Sequence, residues 1–219
     1  MPAYCGSSTR SRSSAEQLQG KDFSPGGKGT GTELLARTFV FPTLGIEPKW
    51  YVGGMPDAQA AVKDRRIVGM GKASAVKNPD ALIMDIMTST RIRILSWTPE
   101  QVQKVQAKYP FLGTVDIPPG TYKASWNEKS LPTWAEGTGM FALARLPEDL
   151  AYAFAKAAVE DTKPGAEGIQ AAAYPAVKSA DFAEMTATLS TIPLHAGTYR
   201  YFREIGTKLP DHLKPPETK

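Results

Sequence analysis

Residues 18–39 read LQGKDF, SPGGKGTGTE and LLARTF in succession, and this order sets the local architecture. The first six residues lead into a loop with glycines at positions 26, 27, 29 and 31. Apolar residues then recur at helical spacing over 34–39. Thr30 and Glu33, three residues apart, have the pattern of a capping box. The pattern predicts a helix that starts at this point and ends by Pro42.

Short apolar segments and helical segments alternate downstream of this loop. Predicted strands lie at 49–52, 67–70 and 91–95, and predicted helices lie at 56–63 and 78–87. The chain contains 19 glycines and 18 prolines, which predicts tight turns between short elements. Regular alternation of strands and helices predicts an α/β layer with mostly parallel strands.

The C-terminal half is predicted to be mainly helical. A second capping-box pattern, with proline at the first helical position, starts a helix after residue 98. A buried strand is expected at 139–144, GMFALA, before a helix over 147–159. The apolar stripe of this helix is predicted to consist of Leu150, Ala151, Phe154 and Ala158. Further helical segments are predicted at about 171–177, 183–189 and 196–204.

Length and composition describe a folded chain of one large or two small domains. Of the 219 residues, 42% are hydrophobic and 22% are charged, which is near the average for globular proteins. The sequence has no apolar run near the roughly 18 residues that a membrane span needs. Residues 1–16 are polar and lack the apolar stretch of a secretory signal, so we expect a disordered leader there.

Few residues suit metal or nucleophilic chemistry. Cys5 is the single cysteine, which excludes an internal disulfide and a cysteine-based zinc site. The two histidines are His195 and His212, and His195 precedes a predicted helix that it is expected to cap. The net charge of +4 comes without the dense basic cluster that nucleic-acid binding needs. We therefore expect no catalysis, no metal, no cofactor and no nucleic-acid partner.

The glycine-rich loop is the segment with a chemical interpretation. Its glycines allow backbone N–H groups to turn toward a ligand, and the following helix adds the positive end of its dipole. The loop lacks the Gly-Lys-Ser/Thr ending of a nucleotide phosphate loop and the glycine spacing of a dinucleotide site. An anion site and a tight strand-to-helix turn both fit the pattern. Glu33 favours the turn, unless its carboxylate is engaged as a cap.

Several short motifs follow one another in an order and spacing that resemble one family. They are GTGTE at 29–33, YPF at 109–111, IPPGTY at 117–122, LPEDLAY at 146–152 and IPLHAG at 192–197. With their flanking residues they cover about residues 17–214. The chain thus resembles the TAXI proteins, the extracytoplasmic solute receptors of one class of tripartite ATP-independent periplasmic (TRAP) transporters.

The resemblance implies a periplasmic-binding-protein-like α/β fold of type II, in which two lobes close on a small solute. It assigns residues 17–93 to a complete second lobe. It assigns residues 94–215 to the C-terminal part of the first lobe and the closing helices. TAXI proteins have a signal peptide and most of the first lobe upstream. The resemblance therefore implies a receptor that is truncated at its N-terminus.

The resemblance also implies a binding site and partners. Thr30, Gly31 and Thr32 would offer hydrogen-bond donors to a small anionic solute such as glutamate or a dicarboxylate. Thr32 is the stronger side-chain candidate, since Thr30 is expected to cap its own helix. A periplasmic location and TRAP membrane permease subunits as partners follow from the same resemblance. The alternatives are a truncated, non-functional remnant and a solute receptor of an ATP-driven importer. Lys72, near a predicted strand end, matches no family contact.

Overall fold

The structure is a computed structural model. It describes residues 15–137, 139–174, 177–178 and 180–216, together with the backbone of residues 2–7. The chain divides into two compact units, Met1–Glu136 and Gly137–Lys219. The division thus falls after residue 136, whereas the sequence analysis placed a boundary after residue 93. The assignment of the two segments to the lobes of a receptor stays a prediction.

The main sheet of the first unit has five strands, which are β1 (Pro2–Ser7), β2 (Asp22–Ser24), β3 (Lys49–Trp50), β4 (Gly69–Ala73) and β5 (Ile92–Leu95). Their order across the sheet is β3-β2-β4-β1-β5. Strand β2 pairs in parallel with β3 and with β4, while β1 lies antiparallel between β4 and β5. The predicted α/β class is confirmed, and β1 makes the sheet mixed.

Strand β1 forms within the segment 1–16 that was predicted to be a disordered leader, so this prediction was wrong for residues 2–7. Its register places Cys5 opposite Met70 of β4 on one side and opposite Ile94 of β5 on the other. A 3-10 helix at Ala15–Leu18 follows and has buried apolar residues. Backbone groups make the hydrogen bonds of a sheet, so a segment without apolar periodicity forms a strand when it lies between two open edges.

Helices connect the strands of the first unit. The connection from β2 to β3 is a continuous helix over 31–44, made of α1 (Gly31–Leu34), a π-helical segment (Leu35–Val40) and α2 (Phe41–Leu44). Three further helices follow, α3 (Met55–Lys63), α4 (Ala81–Ser89) and α5 (Pro99–Lys108). The predicted capping box before α5 is confirmed, with the Gln101 N–H 3.3 Å from Thr98 Oγ1 and the Thr98 N–H 3.0 Å from Gln101 Oε1.

The helix over 31–44 contains a wider, π-helical segment directly before Phe41 and Pro42. The Phe41 N–H donates to the carbonyl of Ala36, five residues back, as in a π-helix. Pro42 has no N–H, and its ring crowds the preceding turn, so a wider turn relieves the clash. The helix continues to Leu44, two residues beyond its predicted end. It stops at Gly45, whose φ of 72° is the left-handed conformation that glycine adopts most readily.

Two hydrophobic clusters stabilise the first unit. In one, Phe41 packs edge-on against Trp97 with ring centroids 5.9 Å apart, and Trp97 packs against Trp134 at the same distance. All three rings are buried, so the helix over 31–44 and the end of β5 share one core. The other cluster packs α3 and α4 onto the sheet and includes Ala58, Ala61, Val62, Met70, Ile83, Ile86 and Ile94.

A small antiparallel pair completes the first unit. Strands β6 (Thr114–Ile117) and β7 (Leu131–Trp134) pair with Thr114 opposite Trp134. The Ala135 N–H extends this pairing by donating to the carbonyl of Gly113 at 2.9 Å. The backbone is therefore fixed up to the residue before Glu136, the last residue of the unit.

The second unit is helical, with α6 (Glu148–Glu160), α7 (Ile169–Ala173), α8 (Phe182–Leu189) and α9 (Ala196–Glu204). Helix α9 has the bounds predicted from the sequence. It packs on α6 at Gly197, where an added Cβ would overlap the Glu148 carbonyl oxygen and lie 2.6 Å from the Tyr152 nitrogen. The absence of a side chain at this position allows the two backbones to approach.

Two predictions for the second unit were wrong. Residues 139–144 form no strand, and Met140 and Phe141 are 84% and 89% exposed. Apolar composition alone does not make a strand, because its backbone groups need a partner edge. The predicted stripe of α6 is also displaced. Leu150 and Phe154 are exposed, whereas Ala151, which also belongs to the predicted stripe, is buried together with Val159.

Candidate functional site

The glycine-rich loop turns the chain from β2 into the helix over 31–44. The turn depends on Gly26, whose φ is 127° and whose added Cβ would lie 3.0 Å from the Cβ of Thr32. A side chain at Gly26 would therefore be strained and would push against Thr32. The loop and the first turn of the helix thus hold each other in place.

Thr30 is the N-cap of this helix, as the sequence predicted. Its hydroxyl accepts a hydrogen bond from the Glu33 N–H at 3.3 Å and donates one to the carbonyl of Gly27 at 2.7 Å. The hydroxyl therefore satisfies groups of the loop and the helix itself. The cap expected for Thr30 is thus confirmed, and a role of Thr32 in ligand binding stays a prediction.

Glu33 is engaged as a cap, so its carboxylate does not oppose an anion at the helix start. It accepts hydrogen bonds from the Gly29 N–H at 2.7 Å and from Arg37 Nη1 at 2.8 Å. The Gly29 hydrogen bond, and then the Arg37 guanidinium, hold the pKa of Glu33 below its ordinary value. The carboxylate accepts from Gly29 and not from Thr30, so the capping box is modified from its usual form.

A second carboxylate lies at the helix start. The Thr32 hydroxyl donates to Oε2 of Glu136 at 2.9 Å, and Thr32 itself is 4% exposed. The other oxygen, Oε1, lies so close to Gly31 that an added Cβ there would overlap it. Glycine at position 31 therefore leaves the space that the carboxylate fills.

Two backbone donors face the same region. Among the described residues, the N–H groups of Gly31 and Thr32 donate to no protein acceptor, as expected in the first turn of a helix. Together with the Thr32 hydroxyl, they form a set of donors at the positive end of the helix dipole. Such a set suits a carboxylate. Thr30, Gly31 and Thr32 are consecutive in the chain, and their role as a binding site stays a prediction.

Glu136 is the residue of this site that sequence reasoning missed. It lies 104 positions from Thr32 in the chain, and no motif connects the two residues. Pairing of β6 with β7 brings it to the helix, and such long-range pairing leaves no local signal in the sequence. Its isolated position after a strand gave no reason to select it.

The other candidate residues have structural roles. Lys72 Nζ donates to Oδ2 of Asp80 at 3.0 Å, and Asp80 also caps α4 by accepting from the Leu82 N–H at 3.0 Å. His195 is the N-cap of α9, with Nδ1 accepting from the Gly197 N–H at 3.3 Å. The cap predicted for His195 is therefore confirmed.

Within the described ranges, three or more His, Cys, Asp or Glu side chains nowhere gather into a possible metal site. None of the described helices has both the length and the apolar character that a membrane span requires.

Comparison with known proteins identifies the class. The chain matches the NMT1-like family over residues 5–206 and belongs to that family. This is a family of periplasmic solute-binding proteins, and membership indicates an extracytoplasmic solute-binding function with a small-molecule ligand and transporter partners. The match includes residues of β1, which the sequence analysis had assigned to a leader. Among curated proteins, none matches the chain.

Proposed function

We propose that this protein is a TAXI-class solute receptor of a TRAP transporter and that it binds the carboxylate of a small anionic solute at the start of the helix over 31–44. The Thr32 hydroxyl and the N–H groups of Gly31 and Thr32 would donate to the solute. Membership of the NMT1-like family supports the solute-binding class. The motifs shared with TAXI proteins support the transporter type, the periplasmic location and the membrane permease partner.

One observation carries the proposed site. A carboxylate, that of Glu136, already lies on Thr32 and Gly31 in this structure. The Thr32 hydroxyl therefore already binds a carboxylate, and the absence of a side chain at Gly31 provides the space for it. A hydrogen bond to a charged group contributes about 1.5–3 kcal/mol. Loss of one such bond should weaken binding by about 10- to 150-fold.

A pair of matched variants tests the proposal. Thr32→Val removes the donor and keeps the shape of the side chain. Thr43→Val makes the same change in the same helix, at a hydroxyl that is buried without a hydrogen-bond partner among the described atoms. Calorimetric titration with glutamate and with succinate should show binding to the wild-type chain. Thr32→Val should weaken this binding at least tenfold, while Thr43→Val should leave it unchanged.

Three results would contradict the proposal or a part of it. One is binding of the dicarboxylate that does not differ between Thr32→Val and Thr43→Val. Another is an amide NMR spectrum in which neither solute moves the signals of Gly31 and Thr32. A hydrolytic or transfer reaction on the bound solute would contradict the proposal that the protein is a receptor and not an enzyme.

A further inference from the structure

The carboxylate of Glu136 lies where the proposed solute carboxylate would bind. Its Oε2 accepts the hydrogen bond of Thr32 at 2.9 Å, and its Oε1 lies against Gly31. The same hydroxyl proton cannot serve two carboxylates, and two like charges at this distance repel each other strongly. Glu136 and a solute carboxylate are therefore mutually exclusive at the Thr32 hydroxyl.

The surroundings of Glu136 favour its release. Within the described residues it has one hydrogen bond, to Thr32, and no ion pair. Glu33, by contrast, is tied to Arg37 at 2.8 Å and to the Gly29 N–H at 2.7 Å. Of the two carboxylates at this helix start, Glu33 is fixed in place and Glu136 is held weakly enough to leave.

We propose that Glu136 is a built-in competitor of the solute, which closes the site in the free protein and must leave before the solute binds. This inference rests on the proposed function of the same site. The solute cannot bind while Glu136 occupies the site. The apparent dissociation constant therefore equals the intrinsic constant divided by the fraction of molecules in which the site is open. If the site is open for roughly one tenth of the time, the apparent dissociation constant is raised about tenfold.

Neutralising Glu136 should therefore tighten solute binding. Glu136→Gln keeps the size of the side chain and removes its charge, and Glu136→Ala removes the competing group. Both should lower the dissociation constant for glutamate and succinate by about tenfold, which corresponds to ~1.4 kcal/mol. The matched control is Glu128→Gln, which changes the net charge equally at an exposed side chain. It should leave the dissociation constant unchanged.

The experiment uses the full chain and two measurements. Calorimetry gives the dissociation constants of wild type, Glu136→Gln, Glu136→Ala and Glu128→Gln for both probes. Amide NMR spectra without solute show whether the Gly31 and Thr32 signals differ between wild type and the Glu136 variants. We expect a clear difference at these two residues and none for the control.

The outcomes separate the inference from the proposed function. If the Glu136 variants bind solute no more tightly than wild type, while solute still moves the Gly31 and Thr32 signals, Glu136 is not a competitor. The proposed binding site would then remain supported. The absence of any change at these signals in the solute-free variants would overturn the competitor as well. Failure of both probes to bind any of the four proteins would overturn the proposed function and the inference together.

Discussion

The substitution Gly31→Ala inserts a methyl group at the point where the Glu136 carboxylate lies. An added Cβ would overlap Oε1 of Glu136 and lie 3.0 Å from its Cδ. The φ of Gly31 is not among the positive values of the chain, so the backbone itself accepts alanine. The carboxylate must therefore move away, and the same methyl group would then occupy the space that a solute carboxylate needs.

The size of the effect follows from the groups that lose a partner. The Thr32 hydroxyl, which is 4% exposed, would lose its acceptor, and an unsatisfied buried polar group costs about 1–3 kcal/mol. Replacing glycine by alanine in a helix returns roughly 0.5–1 kcal/mol. We expect Gly31→Ala to lower the free energy of unfolding of the first unit by about 1 kcal/mol. Solute binding should weaken at least tenfold.

Urea unfolding, followed by the fluorescence of the buried Trp97 and Trp134, measures the first effect, and calorimetry with succinate measures the second. The control is Gly53→Ala, since an added Cβ there lies no closer than 3.5 Å to its neighbours. A Gly31→Ala chain that is as stable as the control and binds succinate like wild type would refute the account of this site.

Three further predictions concern packing, acid stability and capping. Gly197→Ala should destabilise the second unit by about 3 kcal/mol in urea unfolding, because the new Cβ meets the rigid Glu148 carbonyl; stability equal to wild type would contradict the packing. Glu33 has a lowered pKa in the folded state, so its stabilisation is present above the ordinary value of 4.5 and is lost as the pH falls through the lowered pKa. In a plot of the free energy of unfolding against pH, Glu33→Gln should reduce the loss of stability that occurs as the pH falls below 4.5. An unchanged loss would contradict the role of the hydrogen bond from the Gly29 N–H. Thr98→Ala should cost about 1 kcal/mol in thermal unfolding through loss of the α5 cap, and an unchanged transition would count against the capping box.

Elements with local signals were predicted well from the sequence. The capping box of α5 and the bounds of α9 depend on residues within one or two turns, so their patterns are complete in a short window. Strand β1 depends instead on two distant edges, those of β4 and β5. Its polar residues gave no period, and the backbone pairing that makes it a strand cannot be read locally.

The same distinction applies to the candidate site. The caps at Thr30 and Glu33 belong to one loop, and the sequence indicated both, although the Glu33 carboxylate accepts from the Gly29 N–H and not from the Thr30 N–H. The partner of Thr32 comes from the end of β7, far along the chain. The misplaced strand at 139–144 was an error of the opposite kind, because apolar residues were present and a pairing edge was not.

The contrast between Glu33 and Glu136 explains how one helix start can be both stable and receptive. Four N–H groups at a helix N-terminus lack helical partners, and a single cap cannot satisfy them all. Thr30 and Glu33 satisfy loop and helix donors from within the same turn, and Arg37 neutralises the Glu33 charge. The N–H groups of Gly31 and Thr32 have no acceptor among the described residues, and a carboxylate from elsewhere in the chain lies beside these two residues. If that carboxylate leaves to admit a solute, as we propose, the caps at Thr30 and Glu33 would keep the first turn of the helix formed.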